Sequence, residues 1–294
     1  MANLKAIKTR ITSVKSTQKI TKAMKMVAAA KLRKAQINLT KARPYSNHLR
    51  EVIAEIAKRT EKEDSKYLSS HSEASNDILF LVISGDRGLC GGFNSNITRD
   101  VKKFLIEKDD DFDKCDLSFI GKKSYESFKG KAEYSIAQYY LDFMEDLSIT
   151  KARLISDDLS DALLSGKYKE VYMIYNEFKS AIAQEVILEK ILPIETEENT
   201  EENTEEVNIP YIYEPSKIEL LDRLLSQYLT TEVYRALLES YASEQGARMN
   251  AMESATTNAD DMISSLTLTY NRARQAAITT ELVEVISGAA AATE

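Results

Sequence analysis

The stretch Ser84-Gly85-Asp86-Arg87-Gly88-Leu89-Cys90-Gly91-Gly92-Phe93 crowds glycines, a carboxylate, a guanidinium and a thiol into one segment. It follows a strand-like run and precedes a helical one, the setting in which backbone amides at a helix N-terminus hold phosphate. The spacing fits neither Gly-x-Gly-x-x-Gly nor a loop closed by Gly-Lys-Ser/Thr, and no acidic residue completes a ribose site. A tight turn or docking loop is the better reading. Cys90 reads as a packed thiol rather than a nucleophile. No Ser/His/Asp or Cys/His arrangement is visible, and Asp157-Asp158 reads as solvated helix surface. With His48 and His71 as the histidines and Cys90 and Cys115 as the cysteines, a histidine metal site or triad is not expected. Catalytic, metal and cofactor residues are therefore all expected to be none.

Charge carries the stronger signal. Thirteen lysines and arginines lie in the first fifty residues, with Glu51 as the first carboxylate, although the chain is net −7. Setting those thirteen aside leaves 26 basic against 46 acidic residues. Such asymmetry marks a cationic helix that meets an anionic surface. Nucleic acid is one candidate, but stacking aromatics are missing from residues 1–44. An acidic protein surface is at least as good a partner. No apolar run reaches the ~18 residues that span a bilayer, and the start carries no signal-peptide core. A soluble, cytoplasmic protein is expected.

Two long helical patterns bracket the chain. From Ala2 to about Lys58, Leu4, Ile7, Ile11 and Val14 recur at three-four spacing, followed by Ile20, Met24, Val27, Leu32 and Ala35 on a drifting stripe. Pro44 should kink this helix, whose length would be on the order of 85 Å. From Lys217 to Ile286, Leu238, Ala242, Met249, Met252, Ala259, Ile263, Leu266, Tyr270, Ala273 and Ala277 follow a heptad path, with Gln245 and Thr256 as polar members. Between them, Ile78–Ile83, Leu117–Ile120 and Val171–Tyr175 read as strands, with Val186–Leu192 as a further one. Asn96–Glu107, Lys123–Lys129 and Thr150–Leu164 read as helices. This alternation predicts a small α/β domain with a largely parallel sheet.

The expected fold is α/β plus long α: an antiparallel coiled coil of N- and C-terminal helices with a small Rossmann-like α/β domain inserted between them. The expected boundaries are 1–58 for the N-terminal coiled-coil helix, 77–195 for the α/β domain, 196–209 for an acidic disordered loop and 217–294 for the C-terminal coiled-coil helix. The Thr-Glu-Glu-Asn tetrads of residues 196–206 cannot bury apolar area. The longer C-terminal helix should overhang its partner with a nearly uncharged tip, Val285-Ile286, suited to insertion in another protein. Tyr211 and Tyr213, at period two before Pro215, either pack the sheet end or form an exposed aromatic contact.

Four stretches carry a family likeness. Residues 11–36, ITSVKSTQKITKAMKMVAAAKLRKAQ, closely resemble the N-terminal signature of the gamma subunit of F-type ATP synthase. Ser84–Phe93 is similar to that family's glycine-rich motif, and Ala242–Met252 and Leu268–Leu282 resemble its C-terminal motifs. The likeness spans essentially the whole chain.

The resemblance implies the non-catalytic rotor shaft of an H⁺-transporting two-sector enzyme, with its coiled coil inside the ring of alpha and beta subunits. Its foot would meet the epsilon subunit and the membrane c ring. Proton flow would turn ring and shaft, and the shaft would drive each beta subunit through its binding states. The resemblance further implies a peripheral place on the cytoplasmic face of the bacterial inner membrane, reached only through the complex, and no nucleic acid. By motif, Arg274 and Gln275 resemble the pair that bonds a catch loop of beta. Met24, Lys25 and Arg248 resemble coupling positions of the shaft, and Arg87 a contact with beta's acidic lever. Tyr211, Tyr213 and Glu214 match the foot motif facing the c ring and epsilon. The alternative kept open is a nucleic-acid-binding coiled-coil protein using the basic N-terminal helix. Two departures from the family pattern stand out: the acidic repeat lengthens the loop before the foot, and Gly246 stands where Ala is common, softening the helix by ~1 kcal/mol.

Overall fold

The computed structural model describes residues 4–57, 65–68, 75–107, 112–144, 146–194 and 216–292. They fall into two compact units, Met1–Ala29 with Arg248–Glu294, and Ala30–Ala247. The elements in chain order are α1 (Leu4–Ala57), β1 (Ile78–Ile83), α2 (Phe93–Glu107), β2 (Cys115–Ile120), α3 (Lys122–Phe128), β3 (Ser135–Tyr140), α4 (Ile149–Leu164), β4 (Glu170–Phe178), β5 (Gln184–Leu192) and α5 (Lys217–Ala292).

In the larger unit a five-stranded sheet has the order β3-β2-β1-β4-β5. The first three pairings are parallel, and β5 closes one edge antiparallel to β4. β1 is central, and its run Ile-Leu-Phe-Leu-Val-Ile is buried at all six positions. Strand alternation divides it between two cores. Leu79, Leu81 and Ile83 join α4, α5 and the end of α1, while Ile78, Phe80 and Val82 join α2 and Phe128 of α3. α2 packs through Phe93, Ile97, Val101 and Phe104, a three-four stripe. α4 starts where the Ser148 hydroxyl accepts the Lys151 amide at 3.3 Å, satisfying one of the orphan donors of the first turn.

The helices and strands read from hydrophobic pattern are all present, with β3 in addition. Its sequence, Ser-Ile-Ala-Gln-Tyr-Tyr, is a half-exposed edge strand with only Tyr140 buried. That leaves little hydrophobic signal to read. Pro44 lies inside α1, which continues to Ala57.

In the smaller unit the two helix segments run antiparallel. Gln18 bonds Asp260, the Thr21 and Thr256 hydroxyls are 2.8 Å apart, and Lys25 Nζ is 2.7 Å from Glu253 Oε1. The inward positions of α1 are Leu4, Ile7, Ile11, Val14, Gln18, Thr21, Met24, Lys25 and Ala28. Ile20 and Val27, expected on the stripe, are 59% and 57% exposed. The seam keeps a strict three-four repeat, as coiled-coil packing requires, and so passes through polar Gln18 and Thr21 instead of drifting with the apolar residues. On α5, Met252 and Ala259 are buried and Thr256, Ile263, Leu266, Tyr270, Ala273 and Ala277 half-buried. These are the heptad positions expected.

Candidate interaction surfaces

The glycine-rich loop is built from its own side chains. Asn94, in the first turn of α2, accepts the Gly85 amide at 2.9 Å and donates to the Arg87 carbonyl at 3.2 Å. Asp86 accepts the Lys122 amide at 3.1 Å, and Ser84 Oγ accepts the Ser124 amide at 3.2 Å. The amides of Gly85, Lys122 and Ser124 thus serve the turn itself, which supports the turn reading over a phosphate cradle. Arg87 and Leu89 are exposed on its crest, with Leu89 at φ 63. Cys90 is buried beside Asn94. The other thiol, Cys115, is pushed up to about 12 by burial and by neighbouring Asp116. Neither environment is that of a reactive cysteine.

In the smaller unit, Met24 and Lys25 lie on the inward side of α1 and are half-buried. Lys25 pairs with Glu253 of α5. Arg248, also half-buried, lies five residues before Glu253 on α5, ~7.5 Å along the axis. Arg274 and Gln275 are exposed on the outward side of α5, ~30 Å beyond Glu253. The structure therefore brings Met24 and Lys25 level with Glu253 and sets Arg274 and Gln275 apart. By the register of Lys25 with Glu253, α1 begins opposite about residue 274. From 278 to 289 every residue of α5 is exposed, including Leu282, Val283, Val285 and Ile286. Tyr211, Tyr213, Glu214 and the acidic repeat lie outside the described residues.

A set of charged residues that sequence reasoning did not single out lies in the larger unit. Glu232 and Glu239, seven apart on α5, are 3% and 2% exposed. Arg50 and Arg43, seven apart on α1, reach them at 3.7 and 3.0 Å. Arg235 joins Glu232, Glu189 and Tyr175. Burial works against its charge, but Glu232, Tyr175 and Glu189 outweigh that and raise the guanidinium's pKa. The matching seven-residue spacings of acid and base on the two helices were the available signal. Among the described residues no three His, Cys, Asp or Glu side chains gather in a metal-binding group. No described helix is long and apolar enough to cross a membrane.

Known proteins show the same pattern end to end. A family model described as ATP synthase matches residues 3–292. The ATP synthase gamma chain of Geobacter sp. (strain M21) is 48% identical over 288 residues, covering 98% of each chain. That of Anaeromyxobacter sp. (strain Fw109-5) is 45% identical over 294 residues, 99% of each. A chain in the cryo-EM structure of the Tetrahymena thermophila mitochondrial ATP synthase central stalk and c-ring matches at 26% identity and TM-score 0.58, covering 80% of this chain and 99% of that one. A chain of the Euglena gracilis mitochondrial ATP synthase rotor matches in fold, with TM-score 0.67 at 20% identity over 94% of this chain and 98% of that one. With a family model matched over nearly its whole length and relatives close to half identical from end to end, the chain belongs to the ATP synthase gamma chain family.

Proposed function

We propose that this chain is the non-catalytic rotor shaft of an F-type ATP synthase, coupling proton-driven rotation of a c ring to the conformational cycle of the beta subunits. The observation that carries this reading is the end of α5. Past about residue 274, by register, it has no α1 opposite it, and it presents Arg274, Gln275 and then a run of exposed apolar side chains. An apolar helix surface of this extent calls for a protein sleeve. The outer face of α1, with Lys5, Lys8, Arg10, Lys15, Lys19, Lys22 and Lys31 exposed and no acid among them, suits acidic surfaces of alpha and beta, which would gain in steering and fit more than in net affinity. Arg87 on the loop crest suits an acidic lever of beta. Tyr211, Tyr213 and Glu214 are assigned to the c ring and epsilon on the resemblance alone. The chain would sit peripherally on the cytoplasmic face of the bacterial inner membrane, held there by the complex. Chemistry would belong to beta. No observation favours the nucleic-acid alternative, and Lys25, Arg43 and Arg50 are already engaged by carboxylates of α5.

Affinity purification of the tagged chain from its native cells tests the proposal. Alpha and beta subunits are expected in the eluate, and their absence would sink it. Within the complex, Arg274→Ala with Gln275→Ala should lower ATP synthesis in membrane vesicles. Unchanged synthesis would remove that pair from the contact with beta.

A further inference from the structure

Beside the apolar core that β4, β5 and α5 share, the hairpin also meets α5 through a partly buried polar cluster, where apolar packing is the ordinary solution. Arg235 is its hub. Nε donates to Glu232 Oε2 at 2.8 Å, Nη1 donates to the Tyr175 hydroxyl at 3.1 Å, and Nη2 donates to Glu189 Oε2 at 3.3 Å. From α1, the Ser46 hydroxyl donates to Glu232 Oε1 at 2.6 Å. One cluster thus ties α1, α5, β4 and β5 together. Two turns along α5, Glu239 accepts the Phe178 amide at 3.0 Å and an Arg43 guanidinium hydrogen bond at 3.0 Å. One turn further, the Ser243 hydroxyl donates to the Asn176 carbonyl at 3.1 Å.

Partly buried ion pairs of this kind add little stability over apolar side chains of the same volume, because desolvation offsets the attraction. What they do add is a single geometry. Apolar surfaces tolerate a small slip, whereas a guanidinium forked between two carboxylates and a phenol has one position that satisfies all of them. Two carboxylates against Arg235 and Arg50 also leave the cluster balanced in charge.

We propose that the Arg235–Glu232–Glu189–Tyr175 cluster is a torque lock, holding the sheet to α1 and α5 so that twist applied to one element passes to the others without slip. Arg235 and Glu232 are then positioning residues for rotary coupling. The inference rests on the rotor reading.

The test uses the whole ATP synthase in inverted membrane vesicles with Arg235→Met. ATP hydrolysis by the detached head should stay near wild type, while ATP-driven proton pumping per ATP hydrolysed falls by about twofold to thirtyfold, the range expected when a coupling contact is lost. Angular fluctuation of a bead on the shaft of single complexes should widen. Arg235→Lys should recover part of the pumping. Intact pumping and unchanged fluctuation in an assembled Arg235→Met complex overturn the lock. If that variant does not assemble, Tyr175→Phe with Glu189→Gln, which cuts the strand side alone, decides by the same readouts. Failure of both to assemble also overturns the proposal, since the cluster would then be a folding requirement. Failure of the wild-type chain to join alpha and beta subunits would instead defeat the rotor reading.

Discussion

Lys25 Nζ lies 2.7 Å from Glu253 Oε1, so a lysine that the family resemblance points toward beta is held by the chain's own α5. Both side chains remain partly exposed, at 37% and 55%, where solvent screens the pair. Its stabilising effect is expected to be under ~1 kcal/mol. Lys25→Ala should therefore shift the thermal unfolding of the chain slightly at low salt and not at all at high salt. If the variant nonetheless lowers ATP synthesis in the assembled complex, the lysine acts on beta through its exposed edge. A large, salt-independent loss of stability would contradict this account.

Gly121 follows β2 at φ 95, and a Cβ built there would lie 2.0 Å from the Ser84 carbonyl oxygen. That is backbone, in the strand-to-loop joint that carries the glycine-rich turn, and it cannot yield cheaply. Gly121→Ala is expected to cost at least ~3 kcal/mol, read as a lower urea midpoint or loss of soluble chain. Gly246 behaves differently. Sequence reading treats it as a soft spot in α5, but its Cβ position is 3.2 Å from the Ala181 carbonyl of the β4–β5 turn. The glycine admits the hairpin. Gly246→Ala should gain up to ~1 kcal/mol of helix propensity and lose a comparable amount to crowding. A net change beyond about 1 kcal/mol in either direction would be inconsistent with that balance.

The two glycines illustrate what the sequence could and could not disclose. β1 and the α5 heptad were legible because burial on both faces or one stripe writes itself into hydrophobic pattern. The α1 seam was half legible. Ile20 and Val27 are apolar and drew the stripe toward themselves, yet the helix partner fixes the repeat, and Gln18 and Thr21 fill it through bonds to Asp260 and Thr256. β3 was silent because an edge strand with exposed Ala137 and Gln138 has no face to announce. The Arg235 cluster left no mark beyond the matching seven-residue spacing of Arg43 and Arg50 with Glu232 and Glu239. Charged residues on a long helix ordinarily mean solvent, and nothing local distinguishes Glu232 at 3% exposure from a surface carboxylate.

Acid stability has an identifiable contributor in Asp116. Burial of its carboxyl favours the neutral form, but bonds from Lys114, Ser135 and Tyr168 outweigh this and hold the pKa below the ordinary carboxylate range. Tyr168 donates at 2.7 Å, and Lys114 Nζ lies 2.8 Å away. The folded chain therefore binds this proton more weakly than the unfolded chain. Its stabilisation is present above the unfolded value of ~3.9 and is lost as pH falls through the lower folded value. Asp116→Asn should be less stable at neutral pH and should lose less stability on acidification below about pH 4. Denaturant unfolding across that range reads the difference. Parallel curves for the two proteins would remove Asp116 from the acid response.

Leu89 is a branched aliphatic residue at φ 63 with 65% of its surface exposed, on a loop whose other joints are tied down by Asn94, Asp86 and Ser84. The left-handed conformation costs a non-glycine residue ~1–2 kcal/mol, and an exposed Leu recovers little of it through burial. Strain of this kind persists where the surrounding structure enforces it and marks surfaces that act. Glycine at position 89 removes the strain but adds ~0.5–1 kcal/mol of unfolded-state entropy. Leu89→Gly is therefore expected to leave the chain as stable as before or more stable by up to ~1 kcal/mol. In the assembled complex the same change should weaken ATP-driven proton pumping if the crest meets beta as proposed, because an apolar side chain beside Arg87 is then removed from that contact. Greater stability with undiminished pumping would show that the loop holds Leu89 in this conformation for its own turn geometry alone, and Arg87→Ala in parallel would then report whether the crest meets beta at all.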